Sequence, residues 1–349
     1  MALFTTNGMF ILDEIHTTDQ SFHNVMGGGG MFAMLGASIV CPNPETSKHL
    51  KWVVDRGSDF PESISDQIKT WKSGVVFRDD TTRLTTRAWN LYGENDFRQF
   101  KYLSEKKRID VQDWLLEFGE DQLSQIPCFH LVCAEDRATS ILDKLKMYAD
   151  SSIRRAFVWE PIPDLCNVEH AEMIRKVVHR EETVIFSPNA EEGARLFGAT
   201  EPTTIEGCRE LMRKFDSFVG EQNMCVLRCG RLGSLTMGRR SSKGDRPIIH
   251  LPAFHFQSPS RVVDPTGGGN TFLGGFSLGF VLSDGNLDVA SICGNIAAAC
   301  AIEQLGVPQR QGDKWNGLTF EERLSHYITT YKLPYTTDRI LKLLSITST

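Results

Sequence analysis

The chain has 349 residues and a formal net charge of −6; 41% of the residues are hydrophobic and 23% are charged. This is the composition of a globular protein with a full core, and the acidic balance argues against a nucleic-acid or anionic-membrane surface. No apolar run approaches the roughly 20 residues that a membrane-spanning helix needs, and the first residues lack the pattern of a secretory signal. We therefore expect a cytoplasmic protein with no nucleic-acid or membrane partner.

Short apolar runs alternate with amphipathic stretches along the chain, which predicts an α/β fold with a doubly wound, mostly parallel sheet flanked by helices. The first strand is predicted at 9–15, and residues 27–40 predict a glycine turn, a short helix and a second strand. Further strands are predicted at 128–134, 156–161, 183–189, 224–230 and 260–265. Helical patterns between them include 170–180 and 205–219.

Two regions interrupt this alternation. Residues 81–103 are rich in Thr, Arg and aromatic residues with little helical period, which predicts the short strands of a small β lid together with residues 15–26. From about residue 309 onward the chain is polar and then weakly helical. We expect one domain over residues 1–310 and a helical C-terminal extension, 311–349, packed on it.

The nine cysteines are scattered, and no pair of CxxC motifs indicates a structural zinc site. Cys225 and Cys229 fall in a predicted strand, where small buried thiols are the simplest interpretation. A reducing compartment fits this usage best.

The stretch VVDPTGGGNTFLGGF at 262–276 predicts a strand, a glycine turn and an apolar helix. Free N–H groups and the positive end of the helix dipole meet at such a helix start and form an anion site. The glycine triplet is followed by Asn270, whose amide cannot accept a proton at neutral pH but can orient a hydroxyl.

Other segments add weaker signals. Asn189 and Glu192 follow a predicted strand at a spacing that suits a hydrated Mg²⁺ beside phosphates, although a helix cap with an acidic first turn explains it equally well. Gly230 and Gly233 indicate either backbone close to a nucleotide or a plain turn between strands. The small residues of 287–306 allow close packing on a flat base or on another helix.

In this order the segments resemble the ribokinase or PfkB family of ATP-dependent sugar and nucleoside kinases, over roughly residues 5–310. The family signature D-T-x-G-A-G-D corresponds to 264–270, N-x-x-E to 189–192, G-x-x-G to 230–233, and G-x-x-x-x-D to 8–13. The glycine-rich stretch at 27–37 and the segment at 85–103 look most like a fungal branch of that family.

The resemblance implies a role for each matching position. Asp13 would hydrogen-bond substrate hydroxyls over the hinge Gly27–Gly28, and the transferring phosphoryl group would be held by Gly267, Gly268 and Gly269 beside Asn270. The residues implied at the ATP site are Asn189, Arg228, Gly230, Gly233, Thr266, Asn295 and Ala298. The residues implied around Mg²⁺ and its waters are Asn189, Glu192 and Asp264.

Two positions depart from the family pattern. The substrate asparagine falls on Met31 or Phe32, so the acceptor is not expected to be a simple pentose held in the ribokinase manner. The aspartate base falls on Asn270, so a working kinase is either slow or served by another group, for which Asp264 and Asp13 are the nearest candidates.

We therefore expect slowed, ATP-dependent phosphoryl transfer to a hydroxyl of a small sugar-, nucleoside- or vitamin-like acceptor. The alternative is a nucleotide-binding pseudokinase with a regulatory or scaffolding role. A homodimer formed through the lid is a further expectation.

Overall fold

The computed structural model describes residues 2–17, 19–92 and 98–345. Its strands are β1 (Thr5–Thr6), β2 (Ile11–His16), β3 (Ser21–Gly27), β4 (Lys51–Gly57), β5 (Gly74–Asp80), β6 (Arg87–Tyr92), β7 (Arg98–Tyr102), β8 (Cys128–Val132), β9 (Ala156–Glu160), β10 (Thr183–Phe186), β11 (Met224–Arg228), β12 (Ser234–Met237), β13 (Ile248–Leu251), β14 (Arg310–Gln311) and β15 (Lys314–Trp315). Its helices are α1 (Gly29–Val40), α2 (Pro44–Ser47), α3 (Glu62–Thr70), α4 (Val111–Phe118), α5 (Glu120–Ser124), α6 (Glu135–Lys146), α7 (Ala171–Val178), α8 (Ala190–Arg195), α9 (Ile205–Phe218), α10 (Gly268–Leu282), α11 (Leu287–Ile302), α12 (Phe320–Tyr331) and α13 (Thr337–Leu344).

The central sheet has seven strands in the described part of the chain, in the order β1-β8-β9-β10-β11-β12-β13. The strands from β1 to β11 in this order are parallel, and β12 and β13 add an antiparallel edge. Two apolar cores include residues of α1 and α10 to α13 in one, and of α4, α6, α7 and α9 in the other. A parallel sheet needs both faces covered, and the expected doubly wound, mostly parallel α/β fold is confirmed.

A second sheet is built from the segments that were expected to form a lid. Its order is β3-β2-β6-β7, with β2 antiparallel to β3 and parallel to β6. The strand predicted at 9–15 therefore belongs to this small sheet, and β1 lies at the edge of the central sheet instead. Thr18 and residues 93–97 of the two predicted lid segments, and 346–349 of the extension, lie outside the described residues.

Two strand predictions were wrong. Residues 27–40 continue from β3 into the single helix α1, which is buried on nearly every side and therefore lacks the polar face that marks a surface helix. Residues 260–265 form a short 3₁₀ turn and a loop, in which Val263 is 64% exposed. Prolines 259 and 265 bracket this segment, and proline has no N–H to donate to a sheet.

Two further sets of predictions are confirmed: Cys225 and Cys229 are buried thiols, and α7 and α9 lie within the helical patterns at 170–180 and 205–219. Cys225 lies in β11 and Cys229 follows it, and both are buried. Among the described residues, no helix has both the length and the apolar character needed to cross a bilayer.

Glycines allow α1 and α10 to pack backbone against backbone. A Cβ atom at Gly36 would lie 1.9 Å from the Thr271 carbonyl oxygen, and a Cβ atom at Gly274 would lie 1.7 Å from the Ala33 carbonyl oxygen. No side chain fits at such separations, so the crossing depends on these glycines. It fixes the position of α10, whose first turn carries Asn270.

The C-terminal helices are fastened to the rest of the protein by a buried ion pair. Arg323 of α12 is 1% exposed and binds Glu303, at the end of α11, through two hydrogen bonds of 2.7 and 2.8 Å. His255 Nε2 lies 3.1 Å from a Glu303 oxygen. Burial alone would raise the pKa of Glu303, but the bonds from Arg323 and His255 outweigh it and lower the pKa to about 2.

This lowered pKa predicts a loss of stability in acid. Because the pKa of Glu303 is lower in the folded than in the unfolded chain, its contribution is complete above the ordinary value of 4.5 and is lost as the pH falls toward about 2. The shift corresponds to about 3 kcal/mol of unfolding free energy. Urea unfolding of the wild type and Glu303→Gln at pH 6 and pH 3 tests this. Equal pH dependence in the two proteins would contradict it.

Candidate active site between two cavities

The glycine turn forms the N-terminus of α10. Gly267 is the residue before the helix, with φ of 75°, and Gly268 and Gly269 are its first two helical residues. A Cβ atom at Gly267 would lie 2.3 Å from the Phe32 ring. Phe32, one of the two apolar residues to which the substrate asparagine of the family could correspond, therefore packs against the turn. The first backbone N–H groups of a helix have no partner within the helix and can bind an anion; in α10 the Gly268 N–H donates to the Pro265 carbonyl oxygen at 3.1 Å, which leaves this role to the N–H groups of Gly269 and Asn270.

Asn270 lies in the first turn of α10, and its partner is a carboxylate. Its Nδ2 donates a hydrogen bond to Glu160 Oε2, and Glu160 is the last residue of β9. The Glu160 side chain is only 10% exposed. Sequence reasoning missed this residue, although an acid at the carboxyl end of a predicted parallel strand lies where α/β proteins bind ligands.

Arg228, at the end of β11, is the cation of the site. Its Nη1 lies 2.6 Å from Glu160 Oε1 and its Nη2 lies 3.4 Å from Glu192 Oε2. A Cβ atom at Gly269 would lie 2.4 Å from Arg228 Nη1, so the guanidinium group lies directly against the start of α10. Burial would lower the pKa of Arg228, but Glu160 and Glu192 more than offset this, and the group stays charged.

Glu160 is ionised despite its burial. Burial raises its pKa, but the charge of Arg228 and the neighbouring His130 outweigh burial, and the pKa lies below the ordinary value. His130 of β8 is fully buried, with Nδ1 2.9 Å from Thr6 Oγ1 and Nε2 3.6 Å from Glu160 Oε2. His130 was also missed, because nothing in a lone strand histidine indicates which residue it faces.

Asn189 and Glu192 form a reciprocal helix cap at the start of α8. The Asn189 side chain accepts from the Glu192 backbone N–H at 2.8 Å, and Glu192 accepts from the Asn189 backbone N–H at 2.8 Å and from its Nδ2 at 2.9 Å. Burial raises the pKa of Glu192, and the charge of Arg228, which acts to lower it, only partly offsets this effect. The capping interpretation of N-x-x-E is thus present in the structure.

The third residue implied for Mg²⁺ is engaged elsewhere. Asp264 Oδ1 accepts from the Thr266 backbone N–H at 3.0 Å, which shapes the loop before the glycine turn. Within the described ranges no three His, Cys, Asp or Glu side chains are grouped as a metal site. The magnesium ligands stay a prediction.

A cavity of about 440 Å³ has Arg228 in its lining. Five of the residues implied at the ATP site line it, namely Arg228, Gly230, Gly233, Asn295 and Ala298, together with Gly268 and Gly269. A Cβ atom at Gly233 would lie 2.1 Å from the Leu251 carbonyl oxygen, which explains a glycine there. The aromatic residues Phe254 and Phe256 also line this cavity and were missed.

A second, larger cavity has a volume of about 860 Å³. Gly8, Gly29, Tyr102, Val132 and Arg137 are among its lining residues. A Cβ atom at Gly29 would lie 3.2 Å from Asn270 Nδ2, so the wall of this cavity reaches the same amide that binds Glu160.

The residues implied at the acceptor lie beside this wall. A Cβ atom at Gly27 would lie 1.8 Å from Asp13 Oδ2, and Gly28 has φ of 97° directly before α1. Asp13 itself is 8% exposed. Gly27 thus leaves room for the Asp13 carboxylate. The chain then continues from Gly28 into Gly29, which lines the larger cavity.

Comparison with known proteins identifies what the chain is similar to. The sequence profile described as pfkB family carbohydrate kinase matches residues 159–310. Protein MAK32 of Saccharomyces cerevisiae is 47% identical over 353 residues, which cover 99% of this chain and 97% of that protein. The structure of ribokinase from Giardia lamblia superposes with a TM-score of 0.63 at 15% identity, covering 95% and 99% of the two chains. Arabidopsis thaliana ribokinase, complexed with ribose and ATP, gives a TM-score of 0.61 at 15% identity, covering 99% and 100%.

Proposed function

Because the chain belongs to the pfkB family of carbohydrate kinases, we propose that it transfers the γ-phosphoryl group of ATP to a hydroxyl of a small sugar-, nucleoside- or vitamin-like acceptor. The observation that carries this proposal is a chain of contacts that joins two cavities: Arg228, which lines one, pairs with Glu160, and Asn270, the partner of Glu160, lies against Gly29, which lines the other. A kinase needs a nucleotide site and an acceptor site that open onto the same reacting point.

ATP fits the smaller cavity. The base would lie against Ala298 and the apolar residues around it, and the phosphates would point to the N-terminus of α10. Arg228 lies at that end of the cavity and would hold phosphoryl oxygens as a fixed cation. This arrangement matches the general way in which helix N-termini bind phosphate.

The acceptor fits the larger cavity. Its hydroxyl would approach Asn270 from the side of Gly29 and Val132. Asn270 cannot take the hydroxyl proton, but most catalysis of phosphoryl transfer comes from positioning and charge stabilisation. A slow kinase is therefore consistent with an amide at this position.

Mg²⁺ would be held by oxygen donors near Arg228. Amide and carboxylate oxygens suit this ion, and Glu192 has an acceptor position left after its bonds to Asn189 and Arg228. Asn189 and Glu192 would hold the ion and its waters, and its charge would offset that of the phosphates. Glu192 would at the same time keep Arg228 in place.

A nucleotide-binding pseudokinase is the second candidate. It is favoured by the guanidinium group of Arg228, which lies against Gly269 and is paired with Glu160 where phosphate would enter. In that case ATP binds and no acceptor is phosphorylated.

The decisive experiment combines binding and turnover. Calorimetry with Mg-ATP and Mg-ADP measures the nucleotide site, and phosphorylated product is measured with a panel of sugars, nucleosides and vitamin precursors. Binding with product supports the kinase, binding without product supports the pseudokinase, and no binding contradicts both.

The glycine turn gives a specific test of the nucleotide site. Gly267→Ala places a methyl group against Phe32 and displaces the N–H groups that face the phosphates, so we expect ADP affinity to fall at least about tenfold. Gly119→Ala is the matched control, since its φ is 77° but its added methyl group meets nothing within 4 Å. Calorimetry should show unchanged affinity in the control. Equal affinity in both variants would place the phosphates elsewhere.

A further inference from the structure

We propose that Glu160 accepts the proton of the acceptor hydroxyl, in place of the carboxylate that Asn270 lacks. This inference rests on the proposed kinase function. It assigns a role to a residue that motif reasoning overlooked, and it gives Asn270 the task of positioning both Glu160 and the hydroxyl.

The geometry places a carboxylate oxygen one hydrogen bond from Asn270. Glu160 Oε2 accepts from Asn270 Nδ2, and Asn270 Nδ2 lies near the wall of the acceptor cavity at Gly29. A hydroxyl hydrogen-bonded to the Asn270 amide is therefore within a few ångströms of Glu160. Glu160 belongs to β9, but its carboxyl group lies close to the place that a carboxyl group at position 270 of α10 would occupy.

Glu160 has the capacity to accept another proton donor. A carboxylate offers about four acceptor positions, and Asn270 and Arg228 occupy one on each oxygen. His130 Nε2, at 3.6 Å from Oε2, faces the carboxylate from β8. A hydroxyl from the acceptor cavity would complete the set.

The charged and titratable groups around Glu160 lie on three neighbouring elements. Arg228 lies on β11, His130 on β8, and Glu192 on α8 beyond the guanidinium group; Asn270 on α10 is neutral. Arg228 keeps Glu160 ionised at neutral pH, which is the state that can take a proton. The positive charge of Arg228 also offsets the repulsion between the Glu160 carboxylate and the incoming phosphates.

The step balances as follows. The acceptor oxygen forms a bond to the γ-phosphorus, and the bond from that phosphorus to the bridging oxygen of ADP breaks, with its electron pair leaving on ADP. The hydroxyl proton passes to Glu160 Oε2. It leaves Glu160 for solvent after the product departs.

Three variants test this role: Glu160→Gln, Asn270→Asp, and the double variant that exchanges amide and carboxylate. We expect Glu160→Gln to lower kcat about 100-fold, with ADP affinity and acceptor KM within about threefold. The double variant should recover at least about tenfold of that loss, because the Asn270→Asp change then supplies a carboxylate at the reacting point. Thermal unfolding of each variant establishes that it is folded.

Glu182→Gln is the matched control, since Glu182 is also paired with an arginine, Arg180 at 3.0 Å, but precedes β10 at the opposite end of the sheet. Its kcat should equal that of the wild type. A pH profile adds an independent readout: the acidic limb of kcat is present in the wild type and moves in the double variant.

The possible failures are distinguishable. A wild type that phosphorylates no acceptor overturns the proposed kinase function and this inference together. An active wild type whose Glu160→Gln variant keeps half or more of kcat, or is faster, overturns the inference alone. Loss in Glu160→Gln without recovery in the double variant also overturns it, because a carboxylate restored beside the acceptor hydroxyl then fails to restore the step.

Discussion

Arg323→Gln is expected to lower the free energy of unfolding by about 3–5 kcal/mol, because it leaves the Glu303 carboxylate buried without its cation. Arg323 is 1% exposed, and besides Glu303 it donates to the Trp315 carbonyl oxygen at 3.2 Å. Glutamine is too short to replace the two-pronged contact. Urea unfolding measures the loss.

The control uses an exposed ion pair of similar length. Lys48 lies 2.7 Å from Glu45, but their side chains are 61% and 81% exposed. Lys48→Gln should change the unfolding free energy by less than about 1 kcal/mol. The double variant Arg323→Met with Glu303→Leu should recover most of the loss, since removing both charges leaves neither unpaired. A loss below about 1 kcal/mol in Arg323→Gln would contradict the anchoring role.

Gly274→Val is expected to cost about 3 kcal/mol or more, at the upper end of what overpacking costs in protein cores. The added Cβ atom would lie 1.7 Å from the Ala33 carbonyl oxygen, which is backbone and cannot rotate away. Helix α10 would have to move off α1, and it would take Asn270 with it. Thermal or urea unfolding should show the loss, and the folded fraction should lose nucleotide affinity.

Gly207→Ala is the control for this substitution. Gly207 is also inside a helix, α9, but its added Cβ atom meets only side-chain atoms of Pro202 and Thr204 at close range, at 3.0 and 3.3 Å. The change should stay within about 1 kcal/mol, with the higher helix propensity of alanine offsetting the contact. Similar losses in the two variants would show that the α1–α10 crossing can adjust.

The strand pattern and the motifs were enough to predict the fold and part of the lining of one cavity. Gly230, Gly233, Asn295 and Ala298 were implied at one site and line one cavity, because each lies in a local turn or helix that its own sequence specifies. The same local reasoning led to the wrong strand prediction within 27–40. A helix that is buried on nearly all sides has no alternation of apolar and polar residues by which a helix can be recognised.

The charged centre of the site could not be read from the sequence. Glu160, His130 and Arg228 lie on three different strands, and their pairing depends on the order β8-β9-β10-β11 in the sheet. The order of parallel strands in a sheet, and which of their side chains lie next to each other, are set by the tertiary fold and not by the local sequence of each strand. Once that order is known, the carboxyl ends of the strands are the place to search.

The α1–α10 crossing also has a consequence for folding during synthesis, because its two helices are far apart in the sequence. Gly36 and Thr271, which meet at that crossing, are 235 positions apart (271 − 36). At the usual translation rate of about 5–20 residues per second, roughly 12–47 s pass between them on the ribosome. During that interval a helix made almost entirely of apolar residues lacks the helix that packs most closely against it. The nascent chain is therefore expected to engage general chaperones until the second glycine-rich helix emerges.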